Sequence, residues 1–593
     1  MDPDDGTRLR ERAVSGGPPK RPRTTADLRF VRQKPVSWFS PAVLSRSAQR
    51  VAISSALGEF LDKRELQQAV PAGVPAARTD GDDVWFDYIA DTGDGFDATY
   101  SVAWLAAQHT LAVEGVADPL PRGALLVLGG DEVYPVASAT EYENRFTRPF
   151  EASLPYTGDR SPALLALPGN HDWYDGLTSF TRVFCQGKWV GGRKTMQSRS
   201  YFAVELVAGW WLWGIDIQFD SYIDEAQLRY FEEAAGQMGE GGNVILCTAK
   251  PSWVDVATAP ESFRNLAYLE SRVIRPAGAR LLLSLSGDSH HYAHYDADDG
   301  SHKVTAGGGG AFLHPTHHLD PDLDVPDELT GERTQRYRLC DRRYPGAAES
   351  KRLSFGAVLL PLRNPSFLLL PAVVYLLLGM NGHFSVRARS GPRAGDDVAR
   401  DFGVLDILTG LVGNPLSVVL LLLVLGGLIG FAKPPEGLPK GRRRSVLKWV
   451  MGSVHTLVQV GVGVVVGWTA LKLSWPEDET AFGVVYLAWL VAIGSVASAL
   501  TMGAYLAVCC RWLRAHGNEA FSAMALTHYK NFLRIHIDRD GVLTVYPIGL
   551  DRANDRWRVD GDNDDVEAPW LAPDGVTPRP RLVDAPIVID PRR

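Results

Sequence analysis

Cysteine is scarce. Five residues in 593 (Cys185, Cys247, Cys340, Cys509 and Cys510) sit at spacings that match neither a disulfide framework nor a thiolate metal site. The soluble parts of the chain are therefore expected to be reduced. The opening stretch, MDPDDGTRLRERAVSGGPPKRPR, lacks an apolar core segment, so no cleavable signal peptide is expected. A strong excess of one charge is missing too. The chain has 61 Lys and Arg against 69 Asp and Glu, a net charge of −8 spread along its length. That mild acidity argues against nucleic acid as a partner. No internal repeat is visible. The length itself excludes a single ordinary core and implies about two to four units.

Charge is most conspicuously absent from four stretches, Asn364–Met380, Leu416–Ala432, Trp449–Leu471 and Ala481–Val508. A bilayer core takes about 20 apolar residues, with about 17 as the lower limit. The last two stretches pass easily. The first two sit at the limit, each with a proline near its start (Pro365, Pro415), where a helix tolerates it best. A mean hydropathy of −0.08 hides this division, because most of the apolar excess falls between Leu353 and Val508. The pattern predicts an integral, multi-pass membrane protein with four helices. KPPEGLPKGRRRSVLK joins the second and third stretches, and the acidic SWPEDET joins the third and fourth. By the positive-inside tendency the basic loop and both termini face the cytoplasm. The loop between the first two stretches fits less well, since Arg387, Arg389, Arg393 and Arg400 are balanced by acids.

The rest of the chain divides by pattern. Residues 1–34 read as a disordered tail, with KRPR at Lys20–Arg23 as a solvated charge run. Residues 35–82 read as a helical lead-in and linker. From 83 to 350, strand-length apolar runs (VWFDYIA, ALLVLGG, ALLALPG, SYFAVEL, WWLWGIDI, NVILCTA, LLLSLSG) alternate with helical stretches. Such runs predict sheets buried by helices, an α/β layered domain. Trp210, Trp211 and Trp213, at strand spacing, read as sheet packing. The transmembrane region covers 351–514. Residues 515–559 contain a β-hairpin signal, FLRIHIDRDGVLTVYPIGL, and 560–593 read as a poorly ordered Asp- and Pro-rich tail.

Four polar motifs close four of the apolar runs in order: Asp91-Thr92-Gly93-Asp94, Gly130-Asp131-Glu132-Val133-Tyr134, Gly169-Asn170-His171-Asp172 and Gly287-Asp288-Ser289-His290-His291. In open α/β sheets, ligand sites gather where loops leave the carboxyl ends of strands. Carboxylates, an amide, a phenol and imidazoles on one rim suit Mn, Fe or Zn. Two such ions about 3.5–4 Å apart can activate water and clamp a phosphoryl group.

At these motifs the sequence resembles the calcineurin-like metallophosphoesterase superfamily, over about Asp83–His318. DTG with GDEVY is closest to the purple acid phosphatase variant of the motif series, and the longer context resembles large membrane-attached members. The resemblance implies a two-sheet αββα sandwich and a first metal site of Asp91, Asp131 (bridging), Tyr134 and His290. It implies a second site of Asp131, Asn170, a strand-end His and the first His of GHxH. Here the sequence departs from the pattern. The strand end reads Thr248-Ala249-Lys250-Pro251, and Asp288 stands at the GHxH position. One or two ions are therefore expected: either the second binds weakly, or another group supplies the missing ligand, or the site binds phosphate without efficient turnover; His291, His294, His314 and His317 are near in sequence, and Lys250 offers a positive charge.

The resemblance casts His171, oriented by Asp172, as the general acid for the leaving alkoxide. Arg145 and Arg148 are candidates for holding a non-reacting phosphate or carboxylate, with a structural role as the alternative. The glycine run Gly307–Gly310 is either a turn or a place where backbone approaches a ligand. The function expected is hydrolysis of a phosphoester, a lipid-linked one included, at a membrane. The alternative is a membrane-bound phospho-ligand sensor with a depleted second site. A transporter is disfavoured, because the apolar stretches carry almost no ionisable residues.

Overall fold

A computed structural model describes residues 18–592, apart from 47, 48, 50–66, 68–81, 159–160, 208, 218–222, 240, 327–333, 391–402, 440 and 473–477. The chain divides into two units. One comprises Met1–Val36, Ser47–Glu349 and Leu526–Arg593; the other comprises Ser37–Arg46 and Ser350–Ala525.

The first unit is mixed α/β with two large sheets. Sheet I has nine strands. Its centre is parallel: β1 (Val84–Ile89) pairs with β2 (Leu125–Leu128), which pairs with β3 (Ala163–Ala166). Beyond β3 come two short strands at Trp189–Val190 and Arg193–Thr195 (β4, β5). Sheet II has eight strands. β6 (Phe202–Val207) and β7 (Trp210–Ile215) form its edge, followed by β8 (Asn243–Thr248) and β9 (Arg280–Ser286), both parallel to β7. β10 (Tyr292–Ala297), β11 (His302–Ala306), β12 (Asp322–Pro326) and β13 (Thr334–Leu339) complete it.

The apolar runs explain the burial. Phe86, Tyr88 and Val127 of sheet I share one core with Trp210, Leu212, Ile245 and Leu285 of sheet II. The alternate positions Trp211 and Trp213 turn to the other face of sheet II and pack with Phe231 of the helix Glu225–Gln237. On sheet I, Leu126 and Leu128 meet Val102 and Leu105 of the helix Phe96–Ala107. Period-2 exposure to two apolar layers is what continuous apolar strands require.

Three boundaries differ from the sequence expectation. The hairpin after the apolar stretches is no separate segment: β14 (His528–Ile537) pairs antiparallel with β1, and β15 (Leu543–Arg552) pairs with β14, so both belong to sheet I. The Asp- and Pro-rich end is not a loose tail, because β16 (Arg581–Leu582) and β17 (Ile587–Ile589) both pair with β15 and bury Ile587 and Ile589. Described residues of the N-terminal tail are also tied down. The Arg21 guanidinium, in the KRPR run, donates to the carbonyls of Asp560, Asp565, Ala568 and Pro569. Nearly all of the expected lead-in helix lies outside the described residues.

The second unit is helical. Arg442–Lys472 and Thr480–Leu513 are long and apolar enough to cross a membrane, with mean hydropathy 1.6 and 2.0. The other two stretches are bent pairs, Ala347–Arg363 with Pro365–Asn381 (66°) and Val404–Val412 with Pro415–Phe431 (91°). Each bend falls just before the proline noted above, whose ring disfavours a continuous helix across it. Among the described residues, two helices thus qualify as crossings, or up to four if each pair is one span. Leu423 and Leu457 on these helices are 67% and 71% exposed, which an aqueous surface rarely tolerates in series. Between the helices lies a cavity of about 670 Å³ lined by side chains such as Leu378, Val424 and Leu490, with Gln459 and Ser498 as polar contributors.

Candidate metal centre

Each motif follows the last residue of a strand: Asp91 after β1, Asp131 after β2, Asn170 after β3 and Asp288 after β9. The backbone turns abruptly there. Asp91 (φ 60°), Asp131 (φ 54°) and Asp288 (φ 60°) are all in the left-handed region. Three non-glycine residues held so, at three strand ends, mark a site whose surroundings over-determine it. The turns are stitched together by Asp91 N–H to the Gly130 carbonyl (2.9 Å) and Thr92 N–H to the Asp131 carbonyl (3.0 Å). Glycine is required at Gly169, where a Cβ would lie 2.0 Å from Asp131 Oδ1. The same holds at Gly287, where it would lie 2.5 Å from Asp91 Oδ2.

The side chains converge on the Tyr134 hydroxyl. It lies 3.0 Å from Asp91 Oδ1, 3.3 Å from Asp131 Oδ2 and 3.0 Å from His290 Nε2. His290 Nε2 is 3.5 Å from Asp91 Oδ1. These contacts gather two carboxylates and an imidazole around one phenol, donor types that suit a transition-metal ion. All four residues are buried. Burial, and then the neighbouring Asp288, holds the Asp91 carboxyl well above its usual range. Burial likewise raises Asp131, with Asp91, Asp172 and Asp288 adding to it. Burial also drives His290 down to about 3, leaving a neutral imidazole fit to be a ligand. Carboxylates packed this densely need a cation to be ionised together. The residues present fit a metal.

The second position is thinner. Asn170 opens the short helix Asn170–Trp173, and its amide donates to the Tyr174 hydroxyl at 3.2 Å. Asp288 N–H donates to both oxygens of Asp91 (3.1 and 2.9 Å). Ala249, at the end of β8, is buried beside Gly130. Of the possible substitutes, His294 faces His302 (3.0 Å) and Asp584 (3.7 Å), while His314 stacks on His290 with ring centroids 4.1 Å apart. The Lys250 ammonium pairs with Asp255 at 2.9 Å.

His171 and Asp172 do not pair as expected. Asp172 is the third residue of the helix, and its carboxylate turns back to cap Gly169 N–H (2.8 Å) and accept from the Tyr142 hydroxyl (2.5 Å). The His171 ring is oriented instead by the Pro135 carbonyl, 2.7 Å from Nδ1, while its backbone N–H donates to Asp131 (2.9 Å). Burial lowers His171 to about 4. Arg148 is engaged with Glu143 (3.2 Å) and Glu151 (2.7 Å). Arg145 pairs with Glu141 and donates to the Asp94 carbonyl. These contacts favour the structural alternative for both arginines.

Two site residues were invisible in the sequence. Tyr142 is recognisable only once Asp172 is seen to turn inward. Lys530 comes from β14, beyond the helical unit. It is fully buried, and its ammonium donates to the Ala311 carbonyl.

The sequence matches no family model and no curated protein. Among solved structures, it is similar to GAP50, the anchor in the inner membrane complex of Plasmodium, at 14% identity and TM-score 0.29, covering 39% of this chain and 74% of that one. It is similar to the purple acid phosphatase PPD1 from yellow lupin (Lupinus luteus) seeds at 13% identity and TM-score 0.25, covering 41% of this chain and 46% of that one. It is also similar to PhoD at 10% identity and TM-score 0.25, covering 39% of this chain and 58% of that one. The chain thus spans about half the length of the lupin phosphatase and of PhoD. Scores this low leave the functional argument to the side chains.

Proposed function

We propose that the chain is a membrane-embedded, metal-dependent phosphoesterase of the αββα sandwich type, using one or two Fe, Mn or Zn ions. The observation that carries this reading is the convergence of Asp91, Asp131 and His290 on the Tyr134 hydroxyl at 3.0–3.3 Å. The substrate class is a phosphate ester, with a lipid-linked ester as one member. Elemental analysis of the purified protein, with a hydrolysis screen across mono- and diesters, tests it. Absence of bound metal after loading would sink it.

Asp91, Asp131, Tyr134 and His290 would hold the first ion, and Asp131, Asn170 and Asp288 a weaker second. Bound ions would supply charge neutralisation at the phosphoryl oxygens and activation of water. His171 then serves the leaving oxygen. Its Nδ1 proton is committed to the Pro135 carbonyl, so Nε2 is the nitrogen that delivers a proton. With a pKa lowered to about 4, the ring is neutral at pH 7 and Nε2 is bare; an anionic ester entering beside it would raise its proton affinity, so that Nε2 takes up a proton from solvent before passing it to the leaving oxygen. His171→Ala should cut turnover about 10²–10⁴-fold while metal content stays unchanged. Equal losses of metal and turnover would make His171 a structural group.

Ala249 favours the alternative reading of a phospho-ligand sensor. Ala249→His should raise metal stoichiometry from about one toward about two, with hydrolysis rising in step. A chain that stays inert with both ions bound is a sensor.

The pairing of β14 with β1 bears on topology. Segments before and after the helical unit meet in one sheet, so an even number of crossings, two or four, separates them. With the basic Lys433–Lys448 loop as the cytoplasmic marker, the metal centre and both termini are cytoplasmic. A reporter inserted at Gly441 should read as cytoplasmic and one within 476–480 as external. The opposite pattern would put the metal centre outside the cell.

A further inference from the structure

The Gly307–Phe312 loop runs beside the metal centre and touches two parts of the chain more than 200 residues apart in sequence. On one side it is bonded to the end of β1. Gly309 N–H donates to the Ala90 carbonyl (2.9 Å), Ala311 N–H to the Asp91 carbonyl (2.8 Å) and Phe312 N–H to Asp94 Oδ2 (3.2 Å). On the other side it is bonded to β14. Asn531 N–H donates to the Gly308 carbonyl (3.1 Å), and the Lys530 ammonium donates to the Ala311 carbonyl. The fit leaves no room for a side chain at Gly308, where a Cβ would lie 2.1 Å from Asn531 Nδ2. Phe312, the last residue of the loop, packs edge-on against His290 with centroids 4.7 Å apart.

Lys530 also matters by its charge. It is buried within electrostatic reach of Asp94 and Asp91. Asp94 is itself fully buried but stands apart from the ligand set; it accepts from Val36 N–H (2.8 Å) as well as from Phe312. A buried carboxylate needs a countercharge; Arg145, whose guanidinium also donates to the Asp94 carbonyl, supplies the larger share and Lys530 adds to it.

We propose that Lys530 is a positioning residue of the metal centre, pinning the Gly307–Phe312 loop and balancing Asp94 so that Asp91 and His290 are held for the ion. This rests on the metal-centre reading above. It makes the centre a composite, complete only when the strand that follows the helical unit has entered sheet I.

The test is Mn²⁺ titration of the full-length protein, purified in detergent, with folding followed by thermal melts. Lys530→Met should weaken Mn²⁺ binding about 10- to 100-fold, the usual scale for groups that orient ligands. Lys530→Arg should restore binding to near the native value. Asp94→Asn combined with Lys530→Met should bind better than Lys530→Met alone, because the uncompensated carboxylate is gone. If Lys530→Met does not fold but the double variant does, the charge-balance role stands. If neither folds, or if a folded Lys530→Met binds Mn²⁺ as the native chain does, Lys530 is only a structural strand residue and the proposal falls. A native chain that binds no Mn²⁺, Zn²⁺ or iron removes the metal-centre reading itself, and this proposal with it.

Discussion

Asp131→Asn should empty both metal positions at once. Asp131 is the one carboxylate shared by the two proposed ligand sets, and it is buried, at 2% exposed. One oxygen accepts from His171 N–H (2.9 Å), and the other lies 3.3 Å from the Tyr134 hydroxyl. Asparagine has the same shape and keeps an acceptor for His171, so the turn should survive while the anionic ligand is lost. Metal affinity should fall by more than the roughly 10- to 100-fold typical of groups behind the ligands. The metal-free variant should melt no lower than the metal-free native protein. Burial and the charges of Asp91, Asp172 and Asp288 hold Asp131 well above its usual pKa, so it resists ionisation in the empty site, where a neutral amide is close in charge and shape to the protonated carboxyl it replaces. Added Mn²⁺ should raise the melting temperature of the native chain and leave the variant unmoved. Full metal content in Asp131→Asn would show that Asp131 bridges nothing.

The residues of the candidate site are legible in the sequence as strand-end motifs because they announce themselves locally. An apolar run that ends in Gly-Asp or Gly-Asn is a strand meeting a turn, and four such ends in order leave few alternatives to a common rim. What the motifs do not encode is direction. His171 and Asp172 are adjacent in the chain, which suggested a pair. A helix start instead sends its third residue back to the cap, so Asp172 serves Gly169 and the Pro135 carbonyl takes the histidine.

Partnership across long separations was equally hidden. Alternation in Phe532–Leu550 identifies a hairpin and fixes which residues face inward. It says nothing of which strand lies beside it, and β1 is more than 400 residues earlier. Asp560–Arg593 looked unstructured because Asp and Pro dominate its composition, yet three residues at Ile587–Ile589 suffice to pair with β15. The two shorter apolar stretches had the composition of spans and the prolines that bend them. Composition alone did not decide between a crossing and a broken helix.

Arg534→Met should be the most destabilising single change in the first unit. Arg534 is opposite Asp87 in the register between β14 and β1, and neither reaches solvent to any useful extent. The pair is bidentate, Nε to Oδ1 at 2.8 Å and Nη2 to Oδ2 at 3.1 Å. Two further guanidinium protons reach the carbonyls of Leu120 (3.2 Å) and Ala106 (3.1 Å). Methionine fills much of the space but leaves Asp87 charged, buried and alone. Breaking a buried pair in this way costs about 3–5 kcal/mol, against a whole-domain stability of about 5–15 kcal/mol. The loss should appear as a lowered melting temperature and as early proteolysis after Leu526, since the pair is what locks the returning strand to β1. Asp87→Leu with Arg534→Met should recover part of the loss, because two apolar groups leave no orphaned charge. If Lys530 positions the metal centre as proposed, Mn²⁺ loaded onto Arg534→Met should be released in the same transition that frees the strand, since Lys530 lies four residues away on it. An Arg534→Met protein that melts with the native one would mean that β14 is held by its apolar face alone. Leu533, Ile535 and Ile537 would then carry the attachment of the C-terminal segment to the first unit.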